Sequence, residues 1–126
     1  MVRKLTIRFC VAALAGLAAV VSGTAFARDG LPEGVYGAGP YRLEFKAHGK
    51  FRVMKSNYAL VEGDYKVAGD RIELTDRRGP FACKGAGQAT GTYSWKLEEG
   101  SLMLSKIEDK CSDRSESFAT SPWKRQ

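Results

Sequence analysis

The sequence predicts an all-β fold, a small up-and-down antiparallel β-barrel of about eight strands preceded by a signal-peptide helix. Three observations predict it. Apolar and polar residues alternate along most of the chain after residue 30. Short Gly-containing turns separate the alternating runs. The first 27 residues differ in composition from everything that follows.

Arg3, Lys4 and Arg8 make a positive start, Phe9 to Val21 is an apolar run, and Ala25-Phe26-Ala27 supplies small residues before Arg28-Asp29. This is the layout of a cleavable secretory signal. An uncleaved anchor is the alternative, but the run is shorter than the ~20 apolar residues a spanning helix needs. Cys10 follows Ile7-Arg8-Phe9, charged and bulky where lipoprotein processing needs small residues, and leaves with the signal. Residues 1–27 are therefore expected to be removed. Residues 28–126 then form one domain in the periplasm or outside the cell, with no stable membrane anchor. Three of the six excess positive charges belong to the signal, so a charge of +3 remains on 99 residues. The apparent basicity (pI 9.4) is half signal peptide, which argues against a nucleic-acid partner.

Cys83 and Cys111 remain. An even pair in an exported small domain reads as a disulfide. A metal pair is the alternative, disfavoured by a single histidine and no CxxC spacing.

Tyr41, Leu43 and Phe45 alternate with Arg42, Glu44 and Lys46, and Phe51 and Val53 flank Arg52. Ala59, Val61, Tyr65 and Val67 share one parity, and Ile72 and Leu74 follow a turn. Tyr93, Trp95 and Leu97 oppose Ser94 and Lys96, before Leu102 and Leu104. Each run is a strand with one buried face. The expected strands lie near 33–37, 41–47, 50–55, 59–68, 71–76, 90–97, 101–107 and 114–119. Helix signals are nearly absent: no window after Leu31 carries an apolar stripe at helical spacing. Gly-x-Tyr recurs at Gly34, Gly63 and Gly91, consistent with a repeated two-strand unit. A closed barrel removes exposed edges; a two-sheet sandwich is the competing architecture.

Tight turns near Gly49, Gly69 and Gly100 join strands 2–3, 4–5 and 6–7, so all three fall at one end. The other end carries the loops 37–40, 55–58, 77–89 and 108–113, and both cysteines. Those loops are the expected mouth. Arg77, Arg78 and Phe81 could meet an anionic or amphipathic partner there, or be solvated charges and a cover for the disulfide. Inward Tyr36, Phe45, Phe51, Tyr65, Tyr93 and Trp95 either line a ligand cavity or fill the barrel, and the short strands favour filling.

Catalytic chemistry is not indicated. His48, the single histidine, sits in a closed-end turn, away from any nucleophile it could serve. Glu98-Glu99 and Glu108-Asp109 read as solvated loop charges. Gly85-Ala86-Gly87 opens no helix and cannot be a phosphate loop. The expectation is a non-enzyme with no cofactor or metal, a monomer whose partner is a small molecule or another exported protein.

The series Gly34-x-Tyr36, Gly63-x-Tyr65, Gly69-Asp70-x-Ile72, Gly79-Pro80-x-x-Cys83, Gly91-x-Tyr93-x-Trp95 and Glu108-Asp109-x-Cys111-x-x-Arg114 resembles small lipocalin-like (calycin-type) domains of exported bacterial proteins. It spans roughly Glu33 to Trp123. The resemblance implies a barrel and small-molecule binding. Lipocalins open with Gly-x-Trp and lay a basic residue over that ring. Here Tyr36 replaces the Trp, and Arg114 or Lys124 is expected to supply the cation. Ligand contacts would come from Tyr36, Phe45, Tyr65, Arg77, Arg78, Phe81, Tyr93, Trp95 and Arg114. The chain is also similar to periplasmic metalloprotease inhibitors, small single-disulfide barrels that insert an N-terminal strand into the protease. Residues 28–32 would be that arm, although the disulfide here ties later loops. A structural or surface-interaction module without ligand is the remaining class.

Overall fold

Alternation becomes eight antiparallel strands, each hydrogen-bonded to its neighbour in sequence, with the last paired to the first. The computed structural model describes residues 30–126; the expected signal-peptide helix lies outside the described residues. The strands are β1 (Gly34–Ala38), β2 (Tyr41–Lys46), β3 (Lys50–Lys55), β4 (Tyr58–Ala68), β5 (Arg71–Arg78), β6 (Thr90–Glu98), β7 (Ser101–Glu108) and β8 (Trp123–Arg125). One helix, α1 (Ser112–Ala119), lies between β7 and β8. The closed barrel, not the sandwich, is the architecture.

The expected strand at 114–119 is instead α1, and the eighth strand is the three-residue β8. Only Arg114 and Phe118 of α1 are buried. They are four positions apart, on one face of a two-turn helix. One inward residue is charged, so no apolar stripe marks the helix. β8 pairs with β7 at Ser101 and Leu102 and with β1 at Tyr36 and Gly37. Above those pairs the wall has no eighth strand, and α1 packs on β7 there.

Connections alternate between two ends. At one, β2–β3, β4–β5 and β6–β7 are joined by tight turns; Glu99 and Gly100 both take positive φ (49° and 77°), as a two-residue hairpin turn requires. At the other end, β1–β2 and β3–β4 also turn tightly, and the two long connections follow β5 and β7. β5 runs to Arg78, so the long loop begins at Gly79 and not at 77.

Inward side chains fill the barrel. Tyr36, Leu43, Phe45, Phe51, Ile72, Leu74, Tyr93 and Leu102 are fully buried. Phe45 meets Tyr36 edge-on at 5.9 Å and Tyr65 at 4.8 Å. Tyr93 meets Phe118 edge-on at 6.0 Å. Each such pair adds about 0.5–1.5 kcal/mol beyond area burial. Leu31, ahead of β1, is only 5% exposed and belongs to this core. The Tyr36 hydroxyl donates to the Pro32 carbonyl at 3.0 Å. The segment expected as a protruding arm is thus folded against its own barrel from Leu31 onward.

Cys83 and Cys111 form a disulfide between the two long connections, across 28 residues. The chain-entropy model assigns a loop of that length about 3.5 kcal/mol. Reduction should lower stability by about that amount, read by denaturant unfolding with and without reductant. Non-reduced protein should resist thiol alkylation at both positions.

Candidate functional site

The two long connections meet over a buried charge cluster. β5 brings Asp76 inward on the same parity as Ile72 and Leu74. The turn after β7 supplies Asp109, and the first turn of α1 supplies Arg114. All three are at least nine-tenths buried.

Arg114 grips Asp109 through two parallel bonds, Nε to Oδ2 and Nη2 to Oδ1, both 2.7 Å. Nη2 also donates to the Gln88 carbonyl at 2.7 Å, and Nη1 to the Ala89 carbonyl at 2.9 Å. Nη1 lies 3.2 Å from Asp76 Oδ2. The guanidinium has five N–H donors; four make hydrogen bonds, and Nη1 also pairs with Asp76 as an ion pair. Asp109 is equally saturated: Tyr93 Oη donates to Oδ2 and the Cys111 N–H to Oδ1 at 2.9 Å. Asp76 is not. Its Oδ2 accepts the Cys83 N–H at 2.9 Å, but Oδ1 is buried with no hydrogen-bond partner among the described residues.

Burial raises every acid here and the bonds decide the outcome. For Asp109 the upward push is outweighed by Arg114, Tyr93 and the Cys111 N–H, and the carboxyl lies below its usual range. For Asp76 burial prevails over Cys83 N–H and Arg114, with Asp109 adding repulsion, and the carboxyl lies above it. Burial, then Asp109, holds the Tyr93 phenol far above its ordinary value, so it remains a donor.

Local sequence makes room for this cluster. A Cβ on Gly91 would sit 2.3 Å from Asp109 Oδ2 and 3.0 Å from Arg114 Nε. A Cβ on Gly63 would meet the Thr75 carbonyl oxygen at 1.9 Å, beside the β4–β5 bulge that admits Arg77 as an extra residue. Two glycines of the repeated Gly-x-Tyr thus permit close approach beside inward acids.

Asp76 and Arg114 line a cleft of about 1240 Å³ at the mouth. Its walls come from the β1–β2 turn, β3, β4, the loop after β5, α1 and the residues leading into β8. Val53, Leu60, Val61, Phe118 and Trp123 make it apolar in depth, and Lys55, Lys84, Lys124, Asp113 and Glu116 charge its rim.

Of the expected contact residues, Phe81 and Arg114 reach this cleft. Phe81 is 68% exposed. Tyr36, Phe45 and Tyr65 pack together inside the barrel, and Tyr93 lies beneath Asp109. Trp95 belongs to the closed end, where its Nε1 donates to the Gly69 carbonyl at 2.9 Å. Arg77 and Arg78 lie on the outer wall, paired with Asp64 at 2.8 Å and Glu62 at 2.5 Å. The cation over Tyr36 is neither Arg114 nor Lys124 but Arg125, 5.9 Å from the ring centre. Asp109 is a buried member of the cluster, not the solvated loop charge expected. Asp76 was legible only as the next inward position after Leu74. Among the described residues, no three His, Cys, Asp or Glu side chains gather as a metal site, and no helix is long and apolar enough to cross a membrane.

Arg114→Met should cost about 3–5 kcal/mol in denaturant unfolding, because it strands two buried carboxylates. Asp76→Asn should change the pH profile. Asp76 has a raised folded value, so its contribution is complete below the unfolded value and is lost as pH rises through the folded one. Asp109 runs oppositely, losing its contribution as pH falls through its depressed value. Melting temperatures of Asp76→Asn relative to wild type should therefore shift in the variant's favour as pH rises above the ordinary carboxylate range. A constant difference contradicts this. No protein-family model, curated protein or solved structure matches the chain, and its functional reading rests on this geometry.

Proposed function

We propose that this chain is an exported, non-enzymatic binding module of lipocalin-like type whose mouth takes a small molecule. The observation that carries the reading is the mouth cleft, lined by apolar Val53, Leu60, Val61, Phe118 and Trp123 beside the buried Asp76–Arg114–Asp109 cluster. Pockets of this kind combine apolar walls with a few fixed polar groups that orient a ligand. With the barrel interior packed, the cleft above the core and between the long connections supports the reading, because a rigid scaffold commonly carries function there.

The lipocalin-like part of the reading draws on Tyr36 and Arg125. A basic residue over the ring of the first strand's Gly-x-aromatic is what the resemblance leads one to expect, and Arg125 lies over Tyr36. Export draws on the composition of residues 1–27 and on the disulfide, which persists in oxidising compartments. The reading assigns no cofactor, no nucleic acid and a monomeric state. A second reading, a docking surface for another exported protein, draws on Tyr58 and Phe81, 75% and 68% exposed at the same end. The protease-inhibitor reading loses support because Leu31 of its arm is part of the barrel core.

Native mass spectrometry on protein purified from its own host tests the proposal. The expected result is a chain starting near Arg28, lighter by two hydrogens than its reduced form, with a small-molecule adduct that denaturation removes. A chain that retains residues 1–27 overturns the export reading. An adduct-free mass under gentle conditions, with a protein partner in its place, favours the docking surface.

A further inference from the structure

We propose that the outer wall of β2–β5 is a second site, separate from the mouth cleft, that takes an anionic polysaccharide whose sulfate or phosphate esters are held by Lys46, Lys50 and Arg77. The strand register sorts the outward charges into rows that run across the sheet. One row is Glu44, Arg52, Glu62 and Arg78, each facing the next. Signs alternate along it, Arg52 pairs with Glu44 and Arg78 with Glu62, and the row is neutral. The next row towards the closed end is Lys46, Lys50, Asp64, Thr75 and Thr90. There two lysines face each other directly, which costs stability in a sheet. Arg77 joins this row because the β4–β5 bulge lets it and Arg78 both face outward. Lys50 pairs with Asp64 Oδ1, and Arg77 with Oδ2 at 2.8 Å. Lys46 forms no ion pair among the described residues. Three cations thus share one acid.

The row borders a shallow depression of about 400 Å³ whose lining includes Lys50, Asp64, Lys66, Glu73, Thr75 and Arg77. Lys66 faces Glu73, and Arg71 follows Asp70 in the turn, so these charges balance. The other acids of this end are Glu33 ahead of β1, Glu98 paired with Lys96, and Glu99 in the β6–β7 turn, and none of them lines the depression. Lys50 and Arg77 hold the Asp64 carboxyl below its usual range, and Arg78, helped by Arg52 and Lys46, does the same for Glu62. With both acids ionised, the positive excess rests on Lys46, Lys50 and Arg77.

A sulfate or phosphate ester offers several oxygens to a guanidinium and to amines through charge-assisted hydrogen bonds. Beside the cations the wall carries hydroxyls. Those of Thr75 and Thr90 lie 2.9 Å apart, Thr92 faces Glu73, and Ser94 faces Arg71. Sugar hydroxyls both donate and accept, so they suit this lane and the Glu73 carboxylate. The exposed large apolar side chains lie elsewhere: Tyr41, Tyr58 and Phe81 at the mouth, Met103 and Ile107 on β7. The wall therefore has no aromatic platform for nucleic-acid bases and no apolar group to enter a bilayer.

Titration of isotope-labelled, disulfide-intact protein, followed by amide chemical shifts, tests the proposal. The probes are a heparin hexasaccharide, its desulfated counterpart, a short oligothymidylate and phosphatidylglycerol–phosphatidylcholine vesicles. The sulfated sugar should bind tightest, with shifts centred on Lys46, Lys50, Thr75, Arg77 and Thr90 and not on Cys83 or Phe118 at the mouth. Its affinity should fall about ten-fold as salt rises from about 50 mM to about 200 mM. Lys46→Gln and Arg77→Gln should each weaken it about five-fold. Lys110→Gln removes the same unit of charge from the exposed turn after β7 and should weaken it less than two-fold. Lys46→Gln should not lower the melting temperature, because it removes one of two facing lysines. Equal weakening by all three variants reduces the effect to net charge and overturns the site. Equal binding of the desulfated sugar overturns the ester assignment. Tighter binding of the oligonucleotide or the vesicles overturns the polysaccharide assignment. Absence of shifts on this wall with every probe overturns the site and leaves the mouth cleft untouched.

Discussion

The grip of Arg114 on Asp109 is the constraint on which the mouth depends. One guanidinium reaches the turn after β7, two carbonyls of the loop before β6, and the side chain of Asp76 on β5. The turn and the loop among them have no regular structure of their own. A planar fork with five fixed donors can set their relative positions in a way that a compact ammonium could not. α1 follows from the same grip. Its two inward residues are Arg114 and Phe118, so the helix is seated by one polar anchor and one aromatic that meets Tyr93 and Trp123. Replacing buried ion clusters with apolar residues is often neutral or stabilising. What the cluster supplies here is position.

The opposite end is built on apolar closure. Leu31 enters the core, Tyr36 bonds back to Pro32, and Arg125 lies over Tyr36 while donating to the Glu33 carbonyl at 3.2 Å. Trp95 ties β6 to the β4–β5 turn. With that end sealed and the interior filled by rings, little internal space remains for a ligand. The short strands have a second effect. β8 is too brief to complete the wall, α1 takes its place, and the gap between helix and barrel rim is where the cleft forms.

Strand alternation was readable because each strand buries one face, so the period of two survives in the sequence. The end bearing the two long connections was readable from turn length and strand order. α1 was not, because a helix with two inward positions, one of them arginine, leaves no apolar stripe. With α1 at 112–119 the last strand falls at 123–125, so the cation over Tyr36 is Arg125 and not Arg114 or Lys124. The ion cluster was hidden for a different reason. Asp109 and Arg114 have the composition of solvated loops, and only tertiary contact distinguishes a buried charge from an exposed one. Asp76 carried a usable signal: it continues the inward parity of Ile72 and Leu74. Arg77 and Arg78 illustrate the reverse, since conspicuous adjacent cations proved to be outer-wall partners of Asp64 and Glu62.

The disulfide and the unsatisfied acid are parts of one arrangement. The two cysteines present their N–H groups to the two carboxylates, Cys83 to Asp76 and Cys111 to Asp109. The bridge therefore fixes the two acid-bearing segments at the cluster itself. Burying a neutral carboxyl group with one oxygen unpaired costs on the order of 1–3 kcal/mol. Constraining the unfolded chain across 28 residues returns about 3.5 kcal/mol. The magnitudes are comparable, so a domain this short can hold a destabilised carboxyl at its mouth without losing the fold. Groups held in unfavourable surroundings persist where the neighbouring structure over-determines them. In this barrel the covalent staple and the saturated Arg114–Asp109 pair flank Asp76, and they provide that over-determination.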